Sequence, residues 1–442
     1  MKPSLALMLL LSAALCWAEE APLELPVRDS TPLKPEVADA ARQEFEKLSS
    51  PEAAVRAEAG RKLMALDLSV LPWLRHQLLG AAAAKLNDSA KAAAAEVVKL
   101  LEMRNDLAVL AYGTPVKLDL KQVWPQDICA ELERQADNRV PNLVQWLRMP
   151  AQQDFNCSGN YWSAIEQLCR AFPPDLPDKA RDLETAWRQP DKNERPDLPL
   201  FGLEPAMIRG ICTLRAARVS LDREAGGQFL TVVLIPRLEE RFVANELAVT
   251  IDGFKFDNGQ TLPPLGTPAD KTAFRYARNM ATASIRLTEG LRACKTLTVT
   301  GTLDYTPYEM RALTLDLPAN EITRKLSGGL TLTVSRGVND VKAKLVADGG
   351  DGMPNSMNNG EFLVALDQAG KRVGKTNSTS SMGGRSLEVG LSFGAGELPA
   401  KIAVRIPRQL PKVNGPFTLP GVPLPMTEKL PKAPAAAPAE QF

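Results

Sequence analysis

GICTLRAARVSLDREAGGQFLTVVLIPRLEERFVANELAVTIDGFKFDNG, residues 210–259, sets the character of the larger part of the chain. Leu230 to Ile235 is almost wholly apolar, as for a strand covered on both faces, and Leu247, Val249 and Ile251 alternate with polar neighbours. Asp252-Gly253 and Asn258-Gly259 are both tight-turn dipeptides, so two hairpin signals compete or follow each other here. Downstream, period-2 alternation continues through Ile285 and Leu287, then Leu297 to Tyr305, then Leu313, Leu315 and Leu317. About seven short strands with turn signals predict an immunoglobulin-like sandwich over 205–320.

After Leu326-Ser-Gly-Gly the pattern restarts. Leu330–Val334, Val341–Ala347, Phe362/Val364/Leu366, Leu387–Phe393 and Ile402–Ile406 predict a second, smaller sandwich over 321–408. Residues 409–442 are rich in Pro and Ala and predict a disordered tail.

Upstream the composition is different. Lys2, the apolar run Leu5–Leu15 and the small-residue spacing at Cys16-Trp17-Ala18 predict a secretory signal peptide over 1–18. Leu15 is too large to precede a lipidated cysteine, so lipoprotein anchoring is not expected. A polar leader, 19–34, precedes helical periodicity from Pro35 to 112. There Val37, Ala41, Phe45 and Leu48 make one helical face, and Ser50-Pro51 reads as a helix cap and first-turn proline.

The phrase SSPEAAVRAEAGRKLMALDLSVLPWLRHQLLG, residues 49–80, resembles a HEAT-type repeat. That resemblance implies either a protein-binding surface or a helical spacer.

Residues 113–172 read β-α-β-β-α. Val116, Leu118 and Leu120 alternate; Ile128, Leu132 and Ala136 share a helical stripe; Val144–Leu147 and Asp154–Cys157 are short strand candidates. Trp162, Ile165, Leu168, Cys169 and Phe172 then define a second amphipathic helix. This order, VKLDLKQVWPQDICAELERQADN followed by FNCSGNYWSAIEQLCRAF, resembles the short domain at the N-termini of secretins and TonB-dependent receptors. The resemblance implies a periplasmic docking or signalling module and carries no catalytic residue. A Pro-rich, charged linker follows over 173–204.

The expected fold class is therefore multi-domain α+β: an N-terminal α-helical, HEAT-like segment, a small βαββα module and two antiparallel β-sandwiches. FLTVVLIPRLEERFVANELAVTIDGFKFDNGQTLPP, residues 229–264, is similar to a group of exported bacterial multi-domain proteins of this arrangement. That likeness speaks for architecture alone.

Composition narrows the chemistry. With 45% hydrophobic and 24% charged residues the chain is of ordinary globular composition, and 53 basic against 52 acidic residues supply no basic stripe for a nucleic-acid partner. No later stretch is apolar enough for a transmembrane segment. His76 is the single histidine, on an expected helix, which excludes multi-histidine zinc sites and weakens any nucleophile–histidine arrangement. No P-loop, G-x-S-x-G or post-strand G-x-G-x-x-G occurs. Glu239, Glu240, Asp252 and Asp257 lie near expected strand ends, where turn chemistry and surface charge explain them as well as paired-carboxylate hydrolysis does. The loop 348–360, DGGDGMPNSMNNG, carries oxygen ligands suited to calcium or simply connects two strands.

Two groups of side chains remain as candidate sites. The cysteines Cys129, Cys157, Cys169, Cys212 and Cys294 are candidate disulfide partners in an exporting compartment. Cys212 and Cys294 are expected in one sandwich, and the other three leave three single pairings open. Trp146, Tyr161 and Trp162 are a candidate aromatic contact patch, or else the core of a small module. No cofactor, catalytic residue or metal site is expected. The combined expectation is an exported, non-enzymatic binding or scaffold protein of the envelope with an envelope or extracellular protein partner. The alternative is a carbohydrate-binding or carbohydrate-active protein using aromatics or carboxylates, with a glycan as partner.

Overall fold

The computed structural model describes residues 25–28, 31–78, 86–137, 140, 152–172, 206–224, 227–265, 281–291, 293–317, 319–326, 329–348, 362–370, 372–375, 377–383, 385–394 and 398–424. Among these residues, six helices and several antiparallel sheets make a mixed α+β chain. Two compact units divide it: Met1–Lys117 with Ser158–Tyr161 and Arg209–Ile211, and the remainder. The expected signal peptide, linker and strand Val144–Leu147, and the calcium loop beyond Asp348, lie outside the described residues.

The first unit is helical. Helices α1 (Pro35–Lys47), α2 (Ala53–Ala65), α3 (Val70–Gln77) and α4 (Asp88–Tyr112) close on one apolar cluster that includes Ala41, Leu48, Leu63, Leu71, Val97 and Leu101. Phe45 meets Trp73 edge to face at 5.4 Å. Helix α4 begins at a capped Asn87, whose side chain accepts the Ala90 N–H at 2.8 Å. It ends where Gly113 adopts φ 85°.

One expectation changes in this unit. Ser50 is not the cap of α2, which starts at Ala53; instead the Ser50 and Pro51 carbonyls accept from Arg56, both at 2.8 Å. The polar leader is tied to α4. The Asn105 amide accepts the Val27 N–H at 2.8 Å and donates to its carbonyl at 3.2 Å, and Pro26 is buried. A side-chain amide here completes the backbone pairing that a neighbouring strand would otherwise supply.

Strand β1 (Pro115–Val123), helix α5 (Pro125–Ala136), strand β2 (Gln153–Asn160) and helix α6 (Tyr161–Ala171) follow, with β1 and β2 in a two-stranded sheet. Pro125 occupies the first turn of α5, and Asp127 accepts the Trp124 N–H at 3.2 Å to cap it.

The β region, among the described residues, contains three sheets. In the first, β3 (Ala206–Arg209), β4 (Cys212–Glu224), β5 (Gly227–Leu238) and β8 (Ala281–Arg286) lie in the order β3-β4-β5-β8. The second is built on β9 (Thr296–Asp316), a strand of 21 residues that extends about 70 Å at the usual rise. One side of β9 pairs with β6 (Phe242–Phe256), which carries the short β7 (Thr261–Leu262). Along its first half β9 also pairs with β17 (Val413–Pro423), and along its second half with β16 (Lys401–Gln409), next to β13 (Leu363–Leu366). The third sheet holds β10 (Ile322–Leu326), β11 (Leu330–Arg336), β12 (Asp340–Ala347), β14 (Asn377–Gly383) and β15 (Ser386–Ser392), in the order β10-β11-β12-β15-β14.

This topology revises the expected pair of consecutive sandwiches. Leu297, Val299, Leu303 and Tyr305 in the first half of β9 are buried, whereas Met310 and Leu315 belong to a cluster with Leu332, Leu345, Leu391 and Val404. One strand therefore contributes to the hydrophobic interior on both sides of residue 309. The expected boundary at 320/321 does not divide two closed sandwiches, because β9 on one side of it pairs with β16 on the other.

The expected tail also begins too early. Residues 413–423 form β17, with Phe417, Leu419 and Val422 buried. Its prolines read as linker in sequence, but among the described residues β17 pairs with β9 alone, and an edge strand accommodates residues without an N–H. Gly301 opposite Phe417 completes the fit: a Cβ there would meet the Phe417 ring and the Thr250 carbonyl.

Of the two turn dipeptides, Asn258-Gly259 makes the β6–β7 hairpin, with Gly259 at φ 85°. Asp252-Gly253 lies within β6, at a register shift between Ile251 and Gly253. In β13 the inward residues are Leu363 and Ala365, one position out of step with the expected Val364 and Leu366.

Candidate functional site

Among the described residues, a concentration of partly buried charge lies on the six-stranded sheet, where Glu309 sits in register with Phe242 of β6 on one side and Arg408 of β16 on the other. Its Oε2 accepts from Arg408 Nη2 at 2.8 Å, from Arg408 Nε at 3.2 Å and from Arg311 Nε at 2.8 Å. Arg241 Nη2 stands 3.8 Å from Oε1, and its guanidinium lies over the Phe242 ring at 4.7 Å. The Arg241 carbonyl accepts the Met310 N–H at 2.8 Å, so backbone pairing and the ion pair fix the same corner.

Side-chain exposure is 13% for Glu309 and 11% for Arg241, against 42% for Arg311. Burial pushes the Glu309 carboxyl up, but the charges of Arg241, Arg311 and Arg408 and the Arg408 hydrogen bond outweigh it and hold the group at about 2. A carboxylate so held stays ionised at any working pH, and it neither accepts nor releases a proton near neutrality. What the arrangement does chemically is to fasten β6, β9 and β16 together by charge.

A second buried ion pair joins Glu166 of α6 to Arg215 of β4. Burial, and then the positive charge of Arg237, draw the Arg215 guanidinium down to about 9, so it remains cationic at neutral pH beside the Glu166 carboxylate. Neither cluster was anticipated from sequence. The signal available there was only a charged residue inside an apolar run, as at Glu309 in YEMRALTL and Arg215 in CTLRAARV.

The candidate disulfides are not present: no bond joins Cys129, Cys157, Cys169, Cys212 or Cys294, and each is a buried thiol. Cys212 Sγ lies 3.7 Å from the Thr213 carbonyl, and Cys294 Sγ lies 4.0 Å from the Gly290 carbonyl, so each is directed to its own local backbone. Burial, with the Glu133 charge, pushes the Cys129 thiol up to about 12, and burial, with the neighbouring Cys129, pushes Cys169 to about 12. Burial also raises Cys157, and burial and the Asp257 carboxylate raise Cys294. Thiols held in this way are poor nucleophiles at neutral pH.

The aromatic patch is likewise revised. Tyr161 is fully buried, and Trp162 is 1% exposed because the i, i+3, i+6, i+7 spacing that it begins turns this face of α6 inward. Trp146 lies outside the described residues.

The remaining acidic candidates are scattered. Glu239 is buried and Glu240 exposed. Asp252 accepts from the Thr302 hydroxyl at 3.2 Å. Asp257 accepts the Lys295 and Thr296 N–H groups at 2.8 and 3.2 Å, which holds its carboxyl below the ordinary range. These are turn and strand-end contacts. His76 is exposed on α3. Among the described residues no group of three or more His, Cys, Asp or Glu is placed to hold a metal ion, and no helix is long and apolar enough to cross a membrane.

No family model, no curated protein and no solved structure matches the chain.

Proposed function

We propose that the chain is a non-enzymatic binding or scaffold protein of the cell envelope, exported and acting through contacts with another envelope protein. The observation that supports this reading is how its buried polar groups are tied into packing, with Glu309 bonded to Arg408 and Arg311 and Cys129 and Cys169 enclosed in the interior. Glu309 is held near 2 and Cys129 and Cys169 near 12, whereas a general acid, base or nucleophile works best poised close to the operating pH. These groups serve to fasten strands and fill cores. The burial of Tyr161 and Trp162 takes these two aromatics away from a glycan contact, which favours the binding reading over the carbohydrate alternative.

For a contact surface, Met103 and Leu107 on α4 stand one helical turn apart, 39% and 40% exposed. Immobilised full-length protein is expected to retain a defined envelope protein from a cross-linked extract and to lose it in the Met103→Asp, Leu107→Asp variant. Retention unchanged by the double variant would reject this surface. Turnover of an envelope polysaccharide, abolished by a single Asp or Glu change, would reject the non-enzymatic reading.

A further inference from the structure

Asn105 stands in the buried stripe of α4, 6% exposed, with the buried Leu101 and Val109 one turn to either side. Asparagine is a poorer helix former than leucine, and an enclosed amide costs free energy unless both its ends are bonded. Here both ends go to one residue of the leader. The side-chain oxygen accepts the Val27 N–H at 2.8 Å, and the side-chain nitrogen donates to the Val27 carbonyl at 3.2 Å. The N–H and C=O of one residue face the same partner where the backbone is extended, as in an antiparallel strand pair. Asn105 thus does from a helix what a neighbouring strand does in a sheet. Side chains complete the seat. Pro26 is buried, Val27 packs against the apolar helical cluster, and Arg28 Nη2 donates to the Pro115 carbonyl at 2.8 Å. All of these residues belong to the first compact unit.

We propose that this part of α4 is an acceptor site for an extended polypeptide carrying an apolar residue followed by arginine, with the chain's own leader as its replaceable occupant. A primary amide facing an N–H and a C=O reads main chain, which every residue except proline presents in the same form. Selectivity is left to the enclosed surface under Pro26 and Val27 and to the Pro115 carbonyl, which takes a guanidinium donor. The site adds to the protein-contact reading above without resting on it, since neither Met103 and Leu107 nor export enters the argument.

Replaceability follows from the size of the contact. Pro26, Val27 and Arg28 occupy the seat, whereas the preceding Leu25 is 54% exposed. A segment this short binds weakly as a free peptide. Residues 29–34 tether it to α1, which holds it near the site at an effective concentration of about 1 mM. The tether keeps the seat filled in the isolated protein. A partner segment with further contacts on the helical surface exceeds that advantage and takes over the same bonds.

The test titrates a fluorescein-labelled peptide of the leader sequence PLELPVRDSTP, residues 22–32, into the full chain and follows its anisotropy. Val27→Pro with Arg28→Ser in the chain removes the N–H and the guanidinium, which empties the seat. The expected result is saturable binding to that variant with Kd about 0.1 mM, and about tenfold weaker binding to wild type, whose tethered leader competes at about 1 mM. Adding Asn105→Leu, which keeps a good helix former in α4, should abolish binding. The Arg28→Ser peptide should bind at least about threefold more weakly through loss of a charge-assisted bond; equal binding overturns the arginine requirement. No saturation up to about 1 mM, equal affinity for wild type and variant, or binding unchanged by Asn105→Leu overturns the proposal. A wild-type arm does not depend on how the variants fold. Hydrogen exchange of residues 25–28 should quicken when several millimolar labelled peptide displaces the leader, and unchanged exchange overturns the replaceable occupant.

Discussion

Glu309 of β9 and Arg408 of β16 face each other across one row of the six-stranded sheet, with Arg408 Nη2 2.8 Å from the Glu309 carboxylate. Arg241 approaches the same carboxylate from the β6 side, so three strands converge on a single negative charge. The row falls where β9 passes from the part paired with β17 to the part paired with β16.

Removing that charge leaves the guanidiniums facing one another with no counter-charge. Glu309→Gln is expected to cost about 3 kcal/mol of stability, because breaking a buried pair from one side strands the other partner. Arg408→Lys keeps the charge but loses the two-pronged contact, and should cost less, about 1 kcal/mol. Urea unfolding of the two variants against wild type checks both the sign and the order.

The same carboxylate predicts an acid dependence. Its folded pKa, about 2, lies below the ordinary value of 4.5, so between these values the unfolded chain binds more protons than the folded one. Stability from this group is therefore fully present above about pH 4.5 and is lost as pH falls towards 2. Urea midpoints measured from about pH 6 down to about pH 3 should fall more steeply for wild type than for Glu309→Gln. Parallel curves would show that Glu309 is not the group responsible.

Gly301 is the point at which β9 lets the Phe417 ring of β17 lie close against its backbone. Gly301→Val is expected to destabilise by about 2–3 kcal/mol through overpacking. If the clash is with that ring, Phe417→Ala combined with Gly301→Val should cost less than the sum of the two single changes, read by thermal unfolding.

Gly210, in the turn between β3 and β4, holds φ 55°, and a Cβ there would run into the Leu110 backbone carbonyl. Gly210→Ala is therefore expected to destabilise by more than the roughly 1 kcal/mol of the left-handed conformation alone. The exposed turn glycine Gly259 has the same sign of φ with open space around it, and Gly259→Ala should cost only the conformational part. The difference between their unfolding midpoints isolates the close approach to Leu110.

Much of the secondary structure was legible because periodicity records burial. Leu330, Leu332 and Val334, or Val37, Ala41 and Leu48, each face one side and announce a strand or a helix. Strand β14, Asn377–Gly383, carried no such signal, since its polar residues form a sheet edge and include no alternating apolar set. Strand β17 was hidden by its prolines, which only an edge position tolerates, and whether a strand is at an edge depends on residues far away in sequence. The boundary between the two β regions was misplaced for a related reason: alternation persists through most of β9, and nothing local marks where its packing partner changes. The charge cluster at Glu309 joins residues 241, 309, 311 and 408, a contact that no short-range pattern encodes.

The central claim is that the Glu309 cluster is a structural fastening across three strands. Hydrogen exchange of Glu309→Gln, followed by mass spectrometry in native buffer, tests it most directly. The account predicts faster exchange together in peptides covering Phe242–Phe256, Thr296–Asp316 and Lys401–Gln409, with the helices α1 to α4 unaffected. A folded variant with unchanged exchange in all three strands would contradict it.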